Sequence, residues 1–136
     1  MAVAVTTPGR RTRREVPVAE LSAEPGIVGA GDSVLIVDDH GATRSLLELR
    51  LRDHDLSTAA SVAEAIGVLE RREVDVIVSD YSMPPDTGMA LLGYVRARGL
   101  RSRFVLASAG FPDGVEEEAL AADAVVVDKG ELVNLL

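Results

Sequence analysis

The stretch Val74-Asp75-Val76-Ile77-Val78-Ser79-Asp80-Tyr81-Ser82-Met83-Pro84 decides the fold of this 136-residue chain. Four β-branched apolar residues, interrupted once by Asp75, have the composition of a strand buried on both faces. The run ends in a carboxylate, Asp80. Pro84, Pro85 and Gly88 then argue against any regular continuation. An Asp is therefore expected at the carboxyl end of a central strand, the place where open α/β sheets bind their ligands. A second run, Val34-Leu35-Ile36-Val37, ends the same way, in Asp38-Asp39.

Outward from these two runs the pattern alternates strand and helix five times, from Asp32 to Leu136. Strands are expected over residues 34–37, 56–59, 74–80, 104–107 and 124–127, the second at a sheet edge because Ser57 and Thr58 are polar. The first helix, over residues 42–52, places Ala42, Leu46 and Leu49 on one face. Ser61 and Glu64 have capping-box spacing for the second helix, which closes on Arg71 and Arg72. The third spans residues 88–98, with Leu91, Leu92 and Val95 inward. The fourth spans residues 114–121, with Asp113 as its cap. Residues 131–136 leave room for under two turns of a fifth. This order implies one parallel sheet with helices on both faces.

Such a sheet gathers its carboxyl strand ends on one rim. Asp38, Asp39, Asp80, Ser108 and Lys129 all fall there. Lys129 is the only lysine beside thirteen arginines, so a compact point charge stands where the chain otherwise prefers Arg. Polar residues also end strands simply as turn formers, but four apolar strands ending this way form a consistent set. Crowded carboxylates either bind a divalent cation or shift a pKa. Hard oxygen donors suit Mg²⁺. A Lys and a hydroxyl on neighbouring strands suit phosphoryl oxygens, and a carboxylate beside the metal can itself be a nucleophile.

With these residues in place the chain resembles the receiver domain of two-component response regulators, over about residues 33–134. Asp38-Asp39 matches the family's acidic pair. Asp80-Tyr81-Ser82-Met83-Pro84 with Gly88 matches the phosphoacceptor loop, Ser108-Ala109 the Ser/Thr-Ala step, and Lys129 the family lysine. The resemblance implies a flavodoxin-like (βα)5 fold with strand order 2-1-3-4-5. It implies that Asp80 takes a phosphoryl group from the phosphohistidine of a histidine kinase or phosphotransfer protein. Mg²⁺ would be held by Asp39, Asp80 and the backbone carbonyl of Ser82, with Asp38 acting through water. Lys129 would pair with Asp80 at rest, and Ser108 would turn to the phosphoryl group. The output would be contact with a downstream protein by a monomer or weak dimer in the cytoplasm, and the protein would modify itself rather than turn over a substrate.

Some positions depart from the family pattern. Gly130 follows the lysine where many members have Pro. Val126 stands where a switch aromatic is common. Gly110, two residues after Ser108, offers no acid or amide to orient a water, which by the family resemblance implies slow to moderate loss of the phosphoryl group. Two other functions compete with this reading. A haloacid-dehalogenase-like phosphatase needs Asp-x-Asp, whereas Asp38 and Asp39 are adjacent. A receiver that binds partners without phosphorylation remains the alternative.

The bulk composition fits one domain. The chain is 47 % hydrophobic and 3 % aromatic, without Trp or Cys, so disulfides, thiolate catalysis and Cys-bound zinc are excluded. No apolar run reaches the ~18 residues of a membrane span. The net charge of −8 divides unevenly: residues 1–31 carry +1 and residues 32–136 carry −9. An acidic body argues against direct nucleic-acid binding. Residues 1–31, with Arg10, Arg11, Arg13 and Arg14 and a Gly-rich end, read as a flexible arm, and residues 32–136 as the receiver domain. His40 reads as a loop residue opening the first helix, with metal ligation or phosphate carriage as the alternative. His54 reads as a charge near that helix's end or as plain surface. The Glu116-Glu117-Glu118 run reads as a solvated face, or as contact for an Arg-rich partner.

Overall fold

The computed structural model describes residues 27–136. Strands β1 (Ser33–Val37), β2 (Asp55–Ala59), β3 (Val76–Asp80), β6 (Arg103–Ser108) and β7 (Ala124–Asp128) form one sheet, in the order β2-β1-β3-β6-β7. Every pairing is parallel, with Val34 opposite Val76, Ile77 opposite Phe104 and Phe104 opposite Ala124. Helices α1 (Gly41–Arg50), α2 (Val62–Arg71), α3 (Gly88–Ala97), α4 (Val115–Ala121) and α5 (Leu132–Leu135) connect or follow the strands. The five sheet strands thus take the expected 2-1-3-4-5 order.

Strand periodicity splits the core in two. Leu35, Val37, Ile77, Phe104 and Leu106 point to the face covered by α2, α3 and α4, where Leu69, Leu91, Leu92, Val95 and Ala119 meet them. Val34, Ile36, Val76, Val78, Val105 and Val127 point the other way, under Leu47 and Leu51 at the end of α1 and Leu132 of α5. The three inner strands, β1, β3 and β6, are apolar on both faces because both faces are covered. Burial at about 25 cal/mol per Å² of apolar area makes these two layers the main stabilising contribution.

Local signals act where expected at α2. The Ser61 hydroxyl accepts from the Glu64 backbone N–H at 3.1 Å, and the Glu64 carboxylate reaches back to Ala60 N–H at 2.8 Å. Arg71 lies in the last turn, while Arg72 leaves the helix to pair with Asp55 and to donate to Ser57 Oγ on the edge strand β2.

Several expectations are corrected. Leu46 and Leu49 are exposed, at 49 % and 59 %, and Leu47 and Leu51 are the buried residues of this segment. The apolar positions of α1 allow two stripes, and contact with the sheet selects the second. Asp113 does not cap α4. The cap position is Gly114, whose φ of +85° favours glycine, and no side chain bonds the helix start. The proline-rich stretch after β3 is not irregular: β4 (Ser82–Met83) and β5 (Asp86–Thr87) pair antiparallel around Pro84-Pro85. His54 lies beyond α1 with Nδ1 3.1 Å from the Asp32 carbonyl oxygen.

The Arg cluster and all of residues 1–26 lie outside the described residues. The described end of the expected arm is bound to the body. Ile27 N–H donates to Leu135 O at 3.0 Å, and Ile27 and Val28 pack on the α1–α5 layer. Asp32, buried, accepts from Gly29 N–H at 2.8 Å and pairs with Arg103 at 2.6 Å.

Candidate functional site

The carboxyl ends of β1, β3, β6 and β7 open into a cleft of about 530 Å³, lined among others by Asp39, His40, Asp80, Ser82, Ser108 and Lys129. Each side chain arrives there because its strand runs out of apolar residues at the rim. Asp38 follows β1 directly, and its N–H continues the sheet by donating to Ala59 O at 3.1 Å. Its carboxylate folds over the start of α1, accepting from His40 N–H at 2.9 Å, and Arg44 holds its carbonyl at 2.7 Å. Asp38 and Asp80 are both buried.

Asp80 is held from several sides. β3 pairs with β1 on one flank and β6 on the other. The Asp80 carbonyl accepts from Ser79 Oγ at 2.9 Å. Gly88 N–H donates to Tyr81 O at 2.7 Å, bringing the start of α3 close behind the acid. A Cβ at position 88 would stand 2.5 Å from Asp80 O and 2.6 Å from Leu106 Cδ1. The glycine that looks like a loop former in sequence is thus required for close approach.

The charges are shared among three elements. Lys129 Nζ stands 3.1 Å from Asp80 Oδ2 and 3.1 Å from Asp38 Oδ2. Burial raises the Asp80 pKa above its ordinary value; the Lys129 hydrogen bond opposes this, and the charges of Asp38 and Asp39 add to it. Burial alone would lower Lys129, but hydrogen bonds to Asp38 and Asp80 and their negative charges outweigh it and raise its pKa. One ligand atom from each of Asp38, Asp39, His40 and Asp80 lies within 4.8 Å of the others, a spread that a single cation can bridge. Three of the four donors are hard carboxylate oxygens, which fits Mg²⁺.

All of the expected rim residues are brought together. Ser82 and Ser108 also line the cleft, but the Ser108 hydroxyl is engaged with its own loop. It donates to Gly110 O at 2.6 Å and accepts from Gly110 N–H at 3.1 Å. His40 precedes α1 as expected, with no capping bond, and its Nδ1 also stands 3.0 Å from Asp39 Oδ1. Sequence reasoning missed two things here. It assigned Lys129 to Asp80 alone and not to Asp38, and it did not foresee that the rings of Tyr81 and Phe111 would meet edge to face. Only the position of both aromatics, each just past a rim residue, could have suggested the second. Glu116, Glu117 and Glu118 are exposed on α4. Among the described residues no helix is long and apolar enough to cross a membrane.

The chain is similar to proteins of known family. It is 40 % identical over 65 residues to an uncharacterised 14.6 kDa protein of Leptolyngbya boryana, over 46 % of this chain and 50 % of that one. The chain spans half the length of that curated relative and less of the next. Among solved structures, the chemotaxis protein CheY4 of Vibrio cholerae superposes with a TM-score of 0.65 at 28 % identity, over 71 % of this chain and 84 % of that one. The response regulator TrrA of Thermotoga maritima, solved in complex with Mg²⁺ and BeF, superposes with a TM-score of 0.63 at 26 % identity, over 71 % and 85 %. The family model for the response regulator receiver domain matches residues 34–129. A parallel sheet that carries two adjacent acids, a buried acid, a hydroxyl and a lysine to one rim agrees with that match, and the chain belongs to the response regulator receiver domain family.

Proposed function

We propose that this receiver accepts a phosphoryl group on Asp80 and signals by protein–protein contact. The observation that carries the reading is the Asp80 carboxylate at the end of the central strand, 3.1 Å from Lys129 and within one cleft with Asp39, Ser82 and Ser108. An Asp80 oxygen attacks the phosphorus of a phosphohistidine on a histidine kinase or phosphotransfer protein. A P–O bond forms, the P–N bond breaks, and the imidazole leaves, so Asp80 becomes an acyl phosphate. Asp38, Asp39, Asp80 and the Ser82 carbonyl are the groups that would hold Mg²⁺. When bound, Mg²⁺ neutralises charge on the transferring phosphoryl oxygens. Lys129, charged throughout, is placed to move from the Asp80 carboxylate to the phosphoryl group, and Ser108 supplies a neutral donor to it.

The test is incubation with acetyl phosphate and Mg²⁺, followed by intact mass spectrometry. A gain of one phosphoryl group, lost with Mg²⁺ chelation and absent in Asp80→Asn, is expected. No modification of the parent chain defeats the reading. A second reading, a partner-binding module independent of phosphorylation, draws on the Ser108 hydroxyl being bonded to Gly110 rather than to Asp80. Unmodified protein that still binds its partner equally well would favour it.

A further inference from the structure

The loops after β3 and β6 meet through an aromatic pair. The rings of Tyr81 and Phe111 lie 5.8 Å apart at 66°, edge to face. Tyr81 directly follows Asp80, and Phe111 comes three residues after Ser108. Tyr81 is fixed by its backbone: its N–H donates to Ala107 O at 2.8 Å and its carbonyl accepts from Gly88 N–H at 2.7 Å. Both rings are half-buried and pack on the core under α2 to α4. Phe111 therefore ties the β6 loop to a rigid point beside Asp80.

Between Ser108 and Phe111 the chain makes a tight turn closed by the Ser108 hydroxyl, which donates to Gly110 O and accepts from Gly110 N–H. A serine hydroxyl has a single proton to donate. While that proton is given to Gly110, Ser108 cannot donate it to an oxygen carried on Asp80. Turning Ser108 toward Asp80 breaks the bonds that close the turn, and the far end of the turn is the ring that leans on Tyr81. On β7, the position two before Asp128 is Val126, which has no ring to follow Ser108.

We propose that Tyr81 and Phe111 are positioning residues whose edge contact holds Ser108 on Gly110, and that engagement of Ser108 by a phosphoryl group on Asp80 loosens this pair and so reports the state of the site. The holding half stands on the turn and the ring contact alone. The reporting half rests on the reading of Asp80 as phosphoacceptor.

The two halves are tested separately on the full chain. Without any ligand, Phe111→Leu and Tyr81→Leu keep apolar bulk but lose the edge contact. The Gly110 amide, followed by NMR, should exchange with solvent faster in both, while Tyr81→Phe, which keeps the ring, should match the parent. Unchanged exchange in the leucine variants overturns the proposal whatever Asp80 does. With Mg²⁺ and beryllofluoride as the phosphoryl mimic, Phe111→Leu should bind about 2- to 10-fold more tightly than the parent, the range expected when an aromatic edge pair no longer holds the resting state. In a Ser108→Ala background the same substitution should change affinity by less than a factor of about 1.5, within the scatter of independent sites. An equal shift in both backgrounds means that Phe111 acts without Ser108 and overturns the proposal. A parent that binds no beryllofluoride defeats the reading of Asp80 and with it the reporting half, while Gly110 exchange still decides the holding half.

Discussion

The Lys129 ammonium is bonded to two buried acids at once, standing 3.1 Å from an oxygen of Asp80 on β3 and 3.1 Å from an oxygen of Asp38 at the end of β1. The lysine follows the edge strand β7, so its side chain crosses the mouth of the sheet to reach both. It is the main local counterweight to three clustered carboxylates, and its removal leaves two of them buried without that partner.

Lys129→Ala should therefore destabilise the metal-free protein. Breaking a buried pair costs about 3–5 kcal/mol; because Lys129 remains 24 % exposed, a discounted loss of about 1–3 kcal/mol is expected. Urea unfolding followed by circular dichroism measures it. Millimolar Mg²⁺ should restore more stability to this variant than to the parent. Equal stabilisation of both would show that Lys129 and the cation do not share the same carboxylates.

Asp80→Asn should raise stability at neutral pH. Burial raises the Asp80 pKa above the unfolded value of 3.8. Between those two values the folded state binds more protons than the unfolded state, so stability falls as pH rises through that window. The cost persists at all higher pH. Thermal unfolding without Mg²⁺ should show the variant melting above the parent at pH 7, with the gap closing as pH drops below 3.8. A gap of constant size across pH would count against a charge origin.

Gly88→Ala should disturb Asp80 without touching its side chain. The added methyl would stand 2.5 Å from Asp80 O and 2.6 Å from Leu106 Cδ1. One of the two is backbone in a central strand, which cannot yield cheaply. An overpacking loss of about 1–3 kcal/mol is expected in urea unfolding. Gly93→Ala, where a Cβ meets nothing within 4 Å, is the control and should be neutral or slightly stabilising.

The two faces of α1 should separate sharply on truncation. Leu47 is 1 % exposed and Leu49 is 59 % exposed. Leu47→Ala should cost about 2–5 kcal/mol, and Leu49→Ala should fall within about 0.5 kcal/mol of the parent. Comparable losses would mean that the exposed face packs against something in solution.

Much of the site could be read from the chain because its signals are local. Apolar runs with β-branched residues mark the strands, and a polar residue ending each run marks the rim. Ser61 and Glu64 are three residues apart, so the bond from Glu64 N–H to the Ser61 hydroxyl follows from helix geometry alone. The failures were of another kind. Leu46 and Leu49 have the same helical spacing as valid core positions, and nothing within α1 distinguishes them from Leu47 and Leu51. Asp113 is a good cap by residue type, but Gly114 takes the cap with a positive φ that the approach to α4 imposes.

The sequence by itself determined the order along the chain of the five sheet strands and the helices between them, the parallel sheet and the identity of the rim residues, because backbone period and strand-end polarity are properties of neighbouring residues. Tertiary structure alone decided which stripe of α1 is buried, that Lys129 spans Asp38 as well as Asp80, that Gly88 lies against the Asp80 backbone, and that Tyr81 meets Phe111. Those relationships join residues from different strands and loops. They depend on helix rotation and loop approach, which are settled only when the two core layers pack.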